Sequence, residues 1–526
     1  MMTTPDAAGP SPARRGGWLL ALACLLLAGC AAAPLPREHS FALPPWEVAD
    51  TALGEWTTRQ AADHPGLSGF TLLADGRDAF ALRALLTLRA ERRLDIQTYL
   101  MGDGLTTRVL LLRVLEAAER GVEVRLLLDD FGAVGQGDRL AALDSHPNIQ
   151  VRVYHPLPVG RGSLATRVLA SLPVLGRQHR RMHNKLWIAD NALAIVGGRN
   201  LGDEYYSASE PRNFADLDLL TLGPVVAPLS MSFDLYWNHG LAQPIGRYHG
   251  AEPDAWRALK GALDAGLREE ADSDYFAALR QRQEERDRDR LVDELRWGEA
   301  EALWDPPGKP AWRGRPPLAT TMAGQLWARA EPEESLSLVS AYLVPTAAGS
   351  RLLQALAESG VRVVVVTNSL EATDVPVAHG VYAPHRAALV ASGVALFELR
   401  AEHEGGEEDA IGVPGTSAST LHIKALAVDG ERVFVGSANA DPRSVWWNSE
   451  VGVLAVSRGL VDDFEVLVEG GASPALSYAV LLDDQGRLGW LTQVDDRPVW
   501  LEREPGSAWR HFNAWLSRTL RLERWL

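Results

Sequence analysis

His183-Asn184-Lys185-Leu186-Trp187-Ile188-Ala189-Asp190, then six residues, then Gly197-Gly198-Arg199-Asn200, is the stretch that decides how this chain reads. It returns as His422-Ile423-Lys424-Ala425-Leu426-Ala427-Val428-Asp429, six residues, and Gly436-Ser437-Ala438-Asn439. On a strand, His and Lys at i and i+2 point to the same face, and the apolar residues between them face a core. The aspartate ends the strand at a turn, Asp190-Asn191 or Asp429-Gly430. A second short strand, 193–196 or 433–435, then brings the small residues and the asparagine back beside the His-Lys pair. Gly-Gly and Gly-Ser let backbone approach an anion closely. One His-x-Lys on a strand is commonly a surface pair; two copies with identical spacing from His to Asn are a repeated device.

Outward from the motifs, the two halves keep the same order. Residues 81–92 read as a helix and 94–99 as a strand; 107–120 is an amphipathic helix stopped by Gly121, and 122–128 a second strand. A short-turned strand-helix-strand unit favours parallel strands. In the second half, 336–342 is a strand, 347–359 a helix ended by Gly360, and 361–366 a continuous apolar strand, as in a sheet covered on both faces. The pattern is an internal duplication of α/β lobes. Between them, residues 251–320 form a charged connection whose first part, 252–300, reads as helical with mixed signs, the mark of a solvated face. Gly, Glu and Ser enrich 402–419, a loop just before His422.

The chemistry of such a site suits a phosphate diester. One imidazole can attack phosphorus and hold it covalently. The other can protonate the departing alcohol and then deprotonate an acceptor. Lys185, Lys424, Asn200 and Asn439 can hold the nonbridging oxygens as charge builds. No metal and no cofactor is needed, and no metal-ligand cluster stands out beyond these histidines.

Composition agrees with a large globular enzyme. The 526 residues are 46% hydrophobic and 23% charged, which excludes collagen-like and wholly disordered chains. The formal charge of -16 counts against a nucleic-acid substrate, since polyanion binding rests on cationic contacts. The only two cysteines, Cys24 and Cys30, exclude a disulfide scaffold. Both lie in the N-terminal segment, where Arg14 and Arg15 precede an apolar run too short to span a bilayer, as in a secretory signal. Its end, Leu27-Ala28-Gly29-Cys30, resembles the bacterial lipobox, which is cut before a cysteine that receives lipid. The expected organisation is therefore a signal peptide over 1–29, a lipid-bearing Cys30 with a tether over 30–45, one lobe over 46–250, the connection over 251–320, and a second lobe over 321–526. That address implies a lipid-anchored protein facing the bacterial periplasm; Ala31 after the cysteine is compatible with the outer membrane by the same resemblance, and the choice between inner and outer membrane stays open.

The paired motif resembles the phospholipase D superfamily. Further blocks are similar to its bacterial cardiolipin synthase branch, the C-type synthases and their lipoprotein relatives. They include Asp95-Ile96-Gln97-Thr98-Tyr99, Leu126 to Gly132, Arg180-Arg181-Met182-His183, Gly197 to Tyr205, Thr367 to Leu370 with Thr373-Asp374, Asp441-Pro442-Arg443-Ser444, and Glu504-Pro505-Gly506. The resemblance implies two similar lobes, each a mostly parallel mixed sheet flanked by helices, with one active site at the lobe interface. It implies exchange through a phosphohistidine, with His183 as nucleophile and His422 as acid/base. Lys185, Lys424, Asn200 and Asn439 map onto phosphate-binding positions, and Asp190 and Asp429 complete the motif mainly as strand-end residues. Ser437 adds a candidate phosphate-site hydroxyl, where Gly198 stands in the first copy. A carboxylate downstream of each motif orients a histidine: Glu450 in the second lobe, Asp216 or Asp218 in the first. Arg180 and Arg181 are candidate headgroup contacts. The apolar residues Leu164, Val168, Leu169, Leu172, Val174 and Leu175 form either a bilayer-dipping segment or a core helix. Core packing is the expectation for Tyr99 and Tyr342.

The implied activity is a phosphatidyltransferase acting on membrane phospholipids, with phosphatidylglycerol and phosphatidylethanolamine as the expected lipids and cardiolipin as product. Water as acceptor would make it a phospholipase D releasing phosphatidic acid. A non-catalytic lipid-binding lipoprotein is the rival of a different class.

Overall fold

Both halves contain the expected strand, helix and strand, and a hairpin carrying the histidine motif follows each. The computed structural model describes residues 39–157, 165–166, 179–209, 212–285, 295–401, 418–520 and 522. The signal peptide, Cys30, most of the tether, the apolar residues 164 and 168–175, the loop 402–417 and the C-terminal Trp525-Leu526 lie outside them.

The strands of the first half are β1 (Ser68–Leu73), β2 (Arg93–Leu100), β3 (Glu123–Gly132), β4 (Ile149–Tyr154), β5 (Leu186–Ala189), β6 (Leu193–Gly197), β7 (Arg212–Ala215), β8 (Asp218–Leu222) and β9 (Ala242–Pro244). Those of the second are β10 (Arg296–Trp304), β11 (Ser335–Ser340), β12 (Arg362–Asn368), β13 (Ala395–Leu399), β14 (Ala418–Leu421), β15 (Lys424–Val428), β16 (Arg432–Gly436), β17 (Val451–Val456), β18 (Ser477–Leu482), β19 (Leu488–Val494) and β20 (Arg497–Leu501). All but β7 and β14 join one sheet, in the spatial order β9-β4-β3-β2-β5-β6-β8-β1-β10-β17-β16-β15-β11-β12-β13-β18-β19-β20. The run β4-β3-β2-β5-β6-β8-β1 is mirrored by β13-β12-β11-β15-β16-β17-β10, so a pseudo-twofold axis passes between β1 and β10. Within this sheet, parallel pairing is confined to β2-β3-β4 and β11-β12-β13, where helices make the crossovers. The remaining ladders of this sheet are antiparallel, so the sheet is mixed with a parallel minority; the histidine hairpins turn too tightly for any crossover.

Three residues close each histidine hairpin. Asp190, Asn191 and Asp429 take positive φ there, a conformation that Asn and Asp tolerate better than most side chains. The helix Gly76–Arg89 starts earlier than the apolar pattern predicts. Asp75 caps it, its carboxylate accepting from the amides of Arg77 and Asp78 at 2.7 and 3.0 Å. Leu105–Glu119 and Thr346–Glu358 match the expected crossover helices.

Two expectations fail in the connecting regions. Arg296–Trp304 falls inside the supposed charged helical connection, yet it is the strand that joins the half-sheets. Its first residues pair with β1 and the rest with β17. Ala300, Ala302 and Trp304 pack inward while Glu299 and Glu301 alternate with them, a period of two rather than 3.6. The end of the supposed tether is bound, not free. The amides of Ala42 and Leu43 donate to Asp234 and Asn191 at 2.7 and 2.8 Å, and the Ser40 carbonyl accepts from Arg125 at 3.0 Å.

The largest shared core crosses the seam. It combines Leu186, Ile188, Val196, Leu219 and Phe233 from the first half with Ala425, Ala427, Val433, Val453 and Phe464 from the second. Separate cores fill the outer faces of each lobe. Burial of this apolar area binds the lobes together and makes the site between them a fixed one. No helix among the described residues is long and apolar enough to cross a membrane.

Candidate active site

The two histidines meet across the lobe seam by a symmetric exchange of main-chain bonds. His183 donates its amide to the carbonyl of Ser449 at 2.8 Å, and His422 donates to that of Ala215 at 2.6 Å. Ser449 and Ala215 are the residues just before Glu450 and Asp216. A parallel pairing of β14 with β7, and a parallel bridge between Met182 and Ser449, hold each motif against the opposite lobe.

Each imidazole is therefore oriented by a carboxylate from the other lobe. His183 Nδ1 lies 2.9 Å from Glu450 Oε2, and His422 Nδ1 lies 2.6 Å from Asp216 Oδ2. These bonds leave Nε2 of each ring to face a substrate. Of the two first-lobe candidates it is Asp216 that reaches a histidine. Asp218 instead sits in a buried ion-pair network, 2.8 Å from Arg83 and 3.3 Å from Arg199. Both arginines are buried, so withdrawing that carboxylate would strand buried charge at a cost of about 3–5 kcal/mol. Asp216 and Leu217 lie outside a strand, between β7 and β8, and Asp216 there reaches His422 across the seam, which a strand-face count could not register.

Lys185 and Lys424 are buried beside the rings, each donating to the carbonyl of its own histidine, at 2.8 and 2.5 Å. Asn200 accepts from the amide of Leu100 at 3.1 Å and donates to Tyr205 at 2.8 Å. The buried amide oxygen of Asn439 has no hydrogen-bond partner. Asp190 accepts from the amides of Glu91, Arg92 and Arg93, and Asp429 from those of Glu333, Glu334 and Ser335. Both aspartates thus pin the chain entering β2 or β11.

Two expectations need correction. The Ser437 hydroxyl is spent on Glu450, donating to it at 2.5 Å while accepting from the Val451 amide at 3.1 Å. Gly198 stands at the matching place because a Cβ there would lie 2.1 Å from Asp216 Oδ1. Arg181 is buried, 3.5 Å from Asp129, so it serves the fold and not a headgroup. Arg180 remains at the surface of the seam, its guanidinium 4.2 Å from the Trp447 ring centre.

Sequence reasoning undervalued three residues. Tyr99 packs edge-on to His183 with ring centres 5.0 Å apart, not in a core. Tyr342 faces His422 at 6.5 Å and donates to Asp374 at 2.9 Å. Arg443, from the Asp-Pro-Arg-Ser block, bonds to Tyr99 and lowers the basicity of His183. The place of Tyr99 in β2, that of Tyr342 just beyond the equivalent β11, and the Asp-Pro-Arg-Ser block were the available signal.

The site is electrostatically lopsided. Burial, then Lys185 and Lys424, hold His183 well below the usual imidazole range. Burial pushes Glu450 up to about 7 and drags Lys185 down to about 7. Burial also opposes charge on Asp216, but His422 and Lys424 beside it prevail and keep it below the ordinary carboxylate range. His422 is lowered by burial and Lys424, with Asp216 pulling the other way. Both imidazoles are held down by burial, while their carboxylates shift in opposite directions, Glu450 upward and Asp216 downward.

A family model described as "Cardiolipin synthase, PLD-like domain" matches residues 85–214 and 328–470, the two lobes that carry the motifs. The chain belongs to the phospholipase D superfamily, in its cardiolipin synthase-like branch. Cardiolipin synthase C of Escherichia coli is 35% identical over 471 residues, spanning 88% of this chain and 97% of that protein. An uncharacterized protein of Helicobacter pylori is 30% identical over 416 residues, 77% of this chain and 79% of its own. The crystal structure of a Haemophilus influenzae phosphatidylserine synthase superposes with a TM-score of 0.50 at 13% identity, covering 79% of this chain and 90% of that one, and so shares the fold.

Proposed function

We propose that this protein is a phosphatidyltransferase that moves a phosphatidyl group between alcohols through a phosphohistidine, with cardiolipin as its product. The observation that carries the proposal is the crossed pair of imidazole-carboxylate contacts with two lysines between them. His183, the free base, attacks phosphorus through Nε2 as the phosphorus-oxygen bond to the donor headgroup breaks. His422, whose imidazolium is supported by Asp216, gives the departing oxygen its proton. Burial and Lys424 hold His422 below the usual imidazole range, and a bound diester anion works against them with Asp216 by raising its proton affinity. In the second half-reaction His422 takes the proton of an acceptor alcohol, whose oxygen displaces His183 from phosphorus. Lys185, Lys424, Asn200 and Asn439 hold the nonbridging oxygens.

Phosphatidylglycerol as acceptor, its headgroup hydroxyl being the alcohol that cardiolipin requires, and phosphatidylglycerol or phosphatidylethanolamine as donor, with glycerol or ethanolamine leaving, suit the likeness to cardiolipin synthase C. A membrane substrate also suits the helix Ala508–Thr519. It turns Trp509, Phe512 and Trp515 outward, 69%, 46% and 51% exposed, in a row with ring centres 5.6 and 5.9 Å apart. Aromatic rings with neighbouring cations such as Arg518 favour a bilayer interface. Arg510 of the same helix bonds to the carbonyls of Leu370 and Thr373, next to Asp374. The lipobox adds a lipid on Cys30 and a periplasm-facing anchor, tested by labelling with palmitate in wild type and Cys30→Ala.

The deciding experiment is lipid mass spectrometry after incubating the purified protein with phosphatidylglycerol and phosphatidylethanolamine vesicles, with His183→Ala as control. Cardiolipin from wild type alone is expected. Phosphatidic acid alone would replace the transferase with a phospholipase D. No product from either lipid would overturn the proposal.

A further inference from the structure

We infer that the second lobe contains a binding channel for one acyl chain of the glycerophospholipid, running from the phosphate site along the outer face of its sheet. This rests on the proposed function and deepens it. A cavity of about 200 Å³ lies between the helix Met322–Trp327 and strands β11, β15 and β16. Its walls include Ala323, Leu326, Leu338, Leu426 and Phe434, and its polar end is made by Ser340, Lys424 and Asn439. Lys424 and Asn439 are the residues proposed to hold the phosphate.

The sheet register gives the cavity its direction. Ser340 pairs with Lys424, Leu338 with Leu426, and Leu336 with Val428, and each of these residues lines it. It therefore follows the strands for four residues, about 13 Å. An elongated apolar space with polar groups only at the catalytic end matches a lipid tail attached to a phosphate. A headgroup or a sugar would need polar partners along its length.

The first lobe shows that the hollow is not a requirement of the fold. Aligning His183 with His422 places Trp187 opposite Leu426. Trp187 is buried in the outer core of its lobe, among the residues packed under the helices Gly76–Arg89 and Leu105–Glu119. On the same face of the second lobe, Leu338, Leu426, Ala438 and Leu326 stay only partly buried. One lobe is filled where its twin is left open. Well-packed interiors do not keep such voids without reason, because each costs stability in proportion to its volume.

Two arms test the channel. In the first, dihexanoyl and didodecanoyl phosphatidylglycerol compete in the same detergent micelles, and the ratio of the two products is read by mass spectrometry. Wild type should favour the longer donor about tenfold or more. Leu426→Trp, which installs the first lobe's residue, and Ala323→Leu, from the opposite wall, should each bring the ratio near one. An unchanged ratio in both variants overturns the channel, including the case in which both products fall together. In the second arm, vesicles of phosphatidylglycerol bearing a diazirine at mid-chain are irradiated with the full-length wild-type protein. Adducts within residues 322–330 are expected, and adducts only elsewhere overturn the channel. Absence of turnover on every phospholipid would sink the proposed function, while the cross-linking arm would still decide whether the cavity takes a lipid tail.

Discussion

Replacing Asp216 with Asn tests the electrostatic lopsidedness of the site. Asn keeps the shape and removes the charge 2.6 Å from His422 Nδ1. Two unit charges about 4 Å apart at an effective dielectric near 20 interact by about 4 kcal/mol. That energy is asked for only when His422 is an imidazolium, the state that donates its proton to the leaving oxygen. The expected loss in kcat is therefore about a thousandfold. Glu450→Gln removes the matching group from His183, but Glu450 is already raised to about 7 by burial and is half protonated at neutral pH. Its hydrogen bond to Nδ1 survives the substitution, so the loss should be roughly ten- to thirtyfold. The assay is cardiolipin formation from phosphatidylglycerol vesicles at pH 7, with thermal unfolding of each variant to show that both fold. Equal losses, or a larger loss in Glu450→Gln, would refute the assignment of His183 as free-base nucleophile and His422 as proton carrier.

The pH profile of kcat/KM should fall on the alkaline side near pH 7, where Lys185, drawn down to about 7, loses its proton and its hold on the diester. The acid limb should lie well below 6.5, because His183 stays neutral to low pH, and Lys185→Arg should move the alkaline limb upward. Gly198→Ala should cut kcat by at least a hundredfold, since its Cβ would stand 2.1 Å from Asp216 Oδ1 and push that carboxylate off His422; wild-type kcat in a folded variant would contradict the contact. Replacing Trp509, Phe512 and Trp515 together by Ser should lower activity on vesicles about tenfold while leaving turnover of a monomeric short-chain phospholipid within about twofold; equal loss on both would place that helix in the fold, not at the membrane.

Much of the fold was legible because local patterns carried it. The apolar run at Val363 to Val366 and the helix stopped by Gly121 needed only periodicity and a breaker. The repeat of the histidine motif announced two like halves. What resisted was anything decided by a distant neighbour. The strand Arg296–Trp304 reads as part of a charged stretch, and only pairing with β1 and β17 makes it a strand. Asp216 and Asp218 are two residues apart with similar surroundings in sequence, and the partners that separate their roles, His422 and Arg83, lie far from both. Arg181 looked like a ligand contact until Asp129 claimed it.

By itself the sequence determined the reacting groups and their number. Two histidines, two lysines and two asparagines at one spacing specify phosphodiester chemistry, because few other arrangements supply paired nucleophile, acid and anion-binding groups without a metal. The tertiary structure decided how they are paired. Each motif's carboxylate serves the histidine of the other lobe, so neither half carries a complete site. It also decided the asymmetry: burial pushes Glu450 up, while neighbouring charge holds Asp216 down. A sequence records which groups titrate, whereas the energy of a charge depends on the solvent removed from around it and on the charges brought beside it, and folding alone sets both.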